Sequence, residues 1–158
     1  NVIIHGHGAG FDIDKLNTYA TSYIKTDHEC HTYDELIERV RRGMYVHIRE
    51  GTVAKNLKEL IKGVFIHNSR KLCLCTDDKH IDDLLKQGSI DNSIRLCIKN
   101  GLNPEISIQM ATLNPAECYG LKTKGAIAPG YIADFLILDS LHDFKISSAL
   151  PSSPIFLQ

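Results

Sequence analysis

One arrangement recurs along the first hundred or so residues: a short apolar run, a polar residue at its end, a capping signal and then an amphipathic stretch. The runs at 2–5, 23–26, 44–48 and 72–76 read as strands. Between them, Asp12 precedes Ile13, Leu16 and Ala20, Thr32 and Glu35 form a capping box ahead of Leu36, Ile37 and Val40, and Thr52 precedes Leu57, Leu60 and Ile61. These are three helix starts. Strand and helix in alternation put parallel strands in one sheet with helices packed on it, an α/β fold. Asn103-Pro104-Glu105 and Asn114-Pro115-Ala116-Glu117 each combine an Asn cap with Pro at the first helical position, so two further helices follow the last strand.

Four such units make either an open sheet or half of an eight-stranded barrel. His7, His28, Arg49 with Glu50, and Asp77 stand at or just past the four strand ends, in steps of 21, 21 and 28 residues. A polar group at every strand end favours the barrel, whose C-terminal face assembles a site from several strands. From Gly125 the pattern changes. Pro129-Gly130 is a turn signal and 131–139 is strand-like, which places a boundary near Ala126 and divides the chain into 1–125 and 126–158. Residues 147–158, uncharged and without period, read as a loop or an ordered extension.

A net charge of −1 and no Lys/Arg run longer than two leave nothing to gather nucleic acid or an anionic membrane surface. The longest apolar stretch falls far short of the roughly 20 residues that span a bilayer, and the N-terminus does not resemble a signal peptide, so a cytoplasmic protein is expected. Five cysteines without a CxxC pair are expected to be buried or half-buried free thiols.

Individually the strand-end residues carry different signals. His7 sits among small residues in Gly6-His7-Gly8-Ala9-Gly10, which leave its imidazole unobstructed; Phe11 occupies the position where a dinucleotide-binding loop needs its third glycine. Asp27-His28-Glu29 offers a metal ligand followed by an acid or base, or else a solvated acidic turn around a satisfied His. His5 and His31 are expected to stand behind the ligands, supporting them, or on the surface. In Asp77-Asp78 the like charges call for a cation, one acid serving the site and the other the next helix. Arg49-Glu50 is either an ion pair closing the barrel mouth or a pair that reads a polar substrate. Taken jointly, two His and an Asp on separate strands form an N,N,O set suited to Zn, Mn or Fe, which lowers the pKa of a bound water to about 7.

These residues lie in segments that resemble the bacterial adenine deaminases of the amidohydrolase superfamily. The resemblance rests on residues 6–11, on Thr26-Asp27-His28-Glu29-Cys30, on 43–52 around Arg49-Glu50-Gly51, on Cys75-Thr76-Asp77-Asp78-Lys79-His80, and on 108–116 and 125–134, and it covers roughly 1–145. It implies a metal-bearing (β/α)8 barrel with a β-rich domain built from both ends of the chain. His7, His28, Arg49-Glu50 and Asp77 would mark its fifth to eighth strands, so that 1–125 is the C-terminal half of a barrel and 126–158 contributes strands to the composite domain. It further implies that His7 and His28 bind one metal of a binuclear Mn, Fe or Zn centre. Asp77 would bind the other and take the proton from the attacking water, Glu29 would protonate or hydrogen-bond the purine, and Arg49 and Glu50 are substrate-binding candidates. The reaction the resemblance implies is hydrolysis of adenine to hypoxanthine and ammonia.

Two departures accompany the resemblance. Gly8-Ala9-Gly10 stands where the family has Ala-Pro-Gly, which loosens the loop. The family's first-strand His-x-His and fourth-strand acid have no counterpart in these residues. A half-barrel with open edges is expected to be part of a longer polypeptide, or to pair with another copy as a homo-oligomer or with another chain, and to be inactive alone. The competing expectations are another amidohydrolase acting on a different cyclic amidine or amide, and a non-catalytic half-barrel.

Overall fold

The computed structural model describes residues 2–152. Its first unit alternates β1 (Ile4–Gly6), α1 (Ile13–Thr21), β2 (Ile24–Asp27), α2 (Tyr33–Arg41), β3 (Tyr45–Arg49), α3 (Leu57–Leu60) and β4 (Leu72–Cys75), with short 3-10 turns at Ile61–Gly63 and Ser69–Lys71. The strands form one parallel sheet in sequence order, with Gly6 level with Asp27 and Arg49 level with Cys75. All four C-terminal ends therefore lie along one margin. Helices α4 (Ile81–Gln87), α5 (Ile90–Lys99), α6 (Pro104–Ala111) and α7 (Leu113–Cys118) follow, then an antiparallel pair, β5 (Phe135–Ser140) and β6 (Lys145–Leu150).

Side chains alternate across a strand, and this decides what the sheet does on each face. Val46 and Ile48 of β3 and Leu72 and Leu74 of β4 pack under Leu36, Leu57, Leu60, Ile94, Cys97 and Met110, forming one buried core between sheet and helices. The other parity carries His5, Thr26, His47, Arg49, Cys73 and Cys75. That face is chemical rather than apolar. All five cysteines are free, four of them buried. Among the described residues no helix is long and apolar enough to cross a membrane.

Local capping signals produced the helices they announced at α1, α2 and α6. Asp12 accepts from the Lys15 amide, Thr32 and Glu35 close a reciprocal box, and Asn103 accepts from the Ile106 amide ahead of Pro104. Two other cap assignments are corrected. The Thr52 hydroxyl binds Asp83 and the His80 amide, and α3 begins only at Leu57. Asn114 is fully buried inside α7, its amide donating to the Ser69 and Leu72 carbonyls at 2.7 Å each, so it fastens α7 to β4. Four helices rather than two follow β4, because α4 and α5 lack the Asn-Pro signature. Residues 147–150 belong to β6, and 153–158 lie outside the described residues.

Candidate metal centre

His7 follows β1 directly, His28 follows β2, Arg49 ends β3 and Asp77 lies two residues past β4. One fully buried ion pair sets the first two. Asp27 and Arg39, 0% and 1% exposed, meet at 2.7 Å between Arg39 Nε and Asp27 Oδ2. Arg39 also donates to the carbonyls of Gly8 and Glu35, while Asp27 Oδ1 accepts from the Glu29 amide at 2.9 Å and the Gly8 amide at 3.4 Å. Gly8 adjoins His7, and Asp27 and Glu29 flank His28. The pair thus ties both histidine-bearing loops to α2. A Cβ at Gly8 would stand 2.7 Å from Asp27 Oδ2, so the close approach requires glycine there.

The two imidazoles converge. His7 Nδ1 and His28 Nε2 lie 3.5 and 3.3 Å from the same oxygen, Glu29 Oε1, and His28 Nε2 is 3.9 Å from Asp77 Oδ1. Their rings are nearly perpendicular, centroids 4.5 Å apart. Asp77 adopts a left-handed backbone (φ 53°), which Asp tolerates better than most residues and which turns the chain at the strand end. Arg49 stands between the two acids, donating to Glu29 Oε1 at 2.9 Å and Asp77 Oδ2 at 3.1 Å, with Nε on Asn56. Burial opposes ionisation of Glu29, but the guanidinium overrides it and holds the carboxyl below the usual carboxylate range. Burial also lowers the His28 pKa, leaving the neutral ring that metal ligation needs.

Of the six residues proposed from sequence, five come together: His7, His28, Glu29, Arg49 and Asp77. Glu50 does not join them. The Arg49–Glu50 ion pair is absent, because neighbours in a strand face opposite sides; Glu50 lies toward α3, near the Leu57 amide, where burial raises its pKa. Asp78 does not cap α4. Its carboxylate accepts from the amides of Thr52, Val53 and Ala54, joining the loops after β3 and β4.

His5 stands behind His28, one of the two places the sequence left open for it. Its Nε2 is 2.7 Å from His28 Nδ1, its Nδ1 bonds the Thr26 hydroxyl, and His5, His7 and His28 each offer a ring nitrogen within 4.8 Å of the others. The parity it shares with His7 two residues on was the available signal. For Arg39 the signal was a charged residue three after the buried Leu36, on the helix's inward face.

His7 Nδ1 and His28 Nε2 meet at one carboxylate oxygen and Asp77 Oδ1 lies 3.9 Å from His28 Nε2, nitrogen and oxygen donors of the kind that suit a divalent first-row cation. Against known proteins, residues 1–156 match the model of the amidohydrolase family. The chain is 54% identical over its whole length to an adenine deaminase of Geobacillus kaustophilus (strain HTA426) and 51% identical to one of Bacillus pumilus (strain SAFR-032), covering 27% of each. It spans about a quarter of the length of these curated relatives. Among solved structures, N-acetyl-D-glucosamine-6-phosphate deacetylase from Mycobacterium smegmatis superposes on 96% of the chain and 47% of its own length, with a TM-score of 0.72 at 18% identity, a likeness of fold. A parallel α/β sheet with its donors gathered at the strand ends, matched over nearly every residue by one family, places this chain in the amidohydrolase family.

Proposed function

We propose that this chain is the C-terminal segment of an adenine deaminase, supplying strands five to eight of a (β/α)8 barrel from 1–125 and strands of a composite β domain from 126–158. The observation that carries the chemistry is the convergence of His7 Nδ1 and His28 Nε2 on Glu29 Oε1, with Asp77 Oδ1 3.9 Å from His28 Nε2. Identity above 50% to two adenine deaminases supports the substrate. β1 and β4 are the outer strands of the described sheet, and the rest of a longer polypeptide or a second copy would cover them.

His7 and His28 would hold one divalent cation and Asp77 a second, with Mn, Fe and Zn all compatible with the donors. A cation there supplies Lewis acidity that brings the pKa of water to about 7. Asp77, with Oδ2 held by Arg49 and Oδ1 turned to His28, accepts the proton as water adds to C6 of adenine. Asp77 then passes that proton to the amino nitrogen, the C6–N bond breaks as the C6–N1 double bond re-forms, and ammonia leaves hypoxanthine as its 6-hydroxy tautomer, which shifts to the oxo form. Glu29, kept ionised by Arg49, accepts a hydrogen bond from the purine ring, and its position beside both imidazoles favours it over Glu50 for that contact. Arg49 fixes the two carboxylates relative to each other, and the buried Asp27–Arg39 pair fixes the two imidazoles.

The test is ammonia release by the full-length protein carrying this segment, with adenine, adenosine, guanine and cytosine as substrates. Turnover of adenine above the other three is expected. No turnover of adenine rejects the assignment, and release from another substrate makes the protein a different amidohydrolase.

A further inference from the structure

We infer that His5 and Thr26 are positioning residues that fix which nitrogen of His28 is free for a cation. The inference rests on the reading of His7, His28 and Asp77 as a metal site.

The geometry begins with two coplanar rings. The His5 and His28 planes differ by 2°, their centroids lie 4.8 Å apart and His5 Nε2 is 2.7 Å from His28 Nδ1. Two imidazoles meeting edge to edge in a common plane give that separation, so the contact is an in-plane hydrogen bond and not a face-to-face stack. The far edge of His5 bonds the hydroxyl of Thr26, which is fully buried. Hydroxyl, ring and ring form one chain ending at His28 Nε2, the atom that faces Glu29 and Asp77.

A chain of this kind has two polarities. In one, Thr26 donates to His5 Nδ1, His5 Nε2–H donates to His28 Nδ1, and the His28 proton is left on Nε2, closed to a cation. In the other, His28 Nδ1–H donates to His5 Nε2, His5 Nδ1–H donates to Thr26 Oγ1, and His28 Nε2 presents a lone pair. A metal-bound imidazole needs an acceptor for its other N–H, usually a carboxylate, carbonyl or water, and partners of this kind typically change metal affinity 10–100-fold. Asp27, the nearest buried carboxylate, is committed to Arg39. The acceptor for His28 is His5 Nε2. With that nitrogen engaged, His5 orients a ligand and is not one itself.

The test is Mn2+ binding to the metal-depleted full-length protein, followed by the EPR signal of the free ion, with thermal melting to check that each variant is folded. His5→Phe keeps the ring and removes the acceptor; His5→Gln removes the ring and keeps a carbonyl oxygen near the Nε2 position. The acceptor role predicts a loss of about 10–100-fold in H5F and affinity within a few-fold of wild type in H5Q. A packing role predicts the reverse order. Wild-type affinity in H5F, or equal loss in both variants, overturns the inference. Binding that His28→Ala leaves unchanged removes the metal site itself, a failure of the underlying reading that the His5 variants alone do not produce.

Discussion

Replacing Asp27 with Ala tests the frame that holds the two imidazoles. Both members of the pair are shielded from solvent, at 1% and 0% exposure, so screening does not weaken the interaction as it does on a surface. Asp27→Ala leaves the Arg39 guanidinium buried with only the Gly8 and Glu35 carbonyls as partners. Breaking a buried pair from one side costs about 3–5 kcal/mol, which is about two to three and a half orders of magnitude in the folding equilibrium. The double variant Asp27→Leu/Arg39→Met removes both charges at similar volume. What remains is chiefly the Glu29 amide without its acceptor, a penalty of about 1–3 kcal/mol. Urea unfolding of the full-length protein by circular dichroism gives both numbers from the shift in midpoint at constant slope. The single variant is expected to be the less stable of the two. A loss below about 1 kcal/mol in the single variant, or a double variant no more stable than the single, refutes the assignment of this pair as a buried structural clamp.

Three further outcomes follow from other parts of the structure. Asp77→Asn keeps a side chain that tolerates the left-handed backbone but loses the proton acceptor, so turnover should fall about 10²–10⁴-fold while the melting temperature barely moves; parallel loss of both would make Asp77 structural. Glu50→Gln keeps the acceptor near the Leu57 amide and removes a carboxylate whose folded pKa burial has raised. The wild-type stability is therefore eroded as pH rises from 4.5 through that raised value, and the variant should gain on wild type at pH 7 and not at pH 4, with turnover retained; a large drop in kcat would return Glu50 to the substrate. Gly51→Ala would drive a Cβ into the Asp78 carboxylate and to 2.8 Å from the Thr76 carbonyl, breaking the bond between the β3 and β4 loops. A loss of about 1–3 kcal/mol in unfolding measurements is expected, and a neutral result would show that this loop can move aside.

Much of the architecture was legible because its signals are local. Four apolar runs ending in polar residues give the strands, and Asp12, Thr32 with Glu35, and Asn103 cap helices through groups within three residues of themselves. Thr52 and Asn114 carry the same cap chemistry, yet tertiary partners take their side chains: Asp83 and His80 for one, Ser69 and Leu72 for the other. No spacing rule contains that competition. The separation of Arg49 from Glu50 was legible in principle, since a period of two cannot put adjacent residues on one face. The partnership of Arg39 with Asp27 was not, because only the fold brings α2 against the end of β2. Likewise His5 acquires its place through a cross-strand contact with Thr26 and His28, residues more than twenty positions away.

The account rests on a cation seated between the ends of β1, β2 and β4. Crystals of the full-length protein grown with Mn2+ and measured at the manganese absorption edge locate it directly. An anomalous peak within bonding distance of His7 Nδ1 and His28 Nε2 and beside the Asp77 carboxylate is the predicted result. No peak between the two imidazoles, in protein that binds manganese elsewhere or that deaminates adenine, contradicts it.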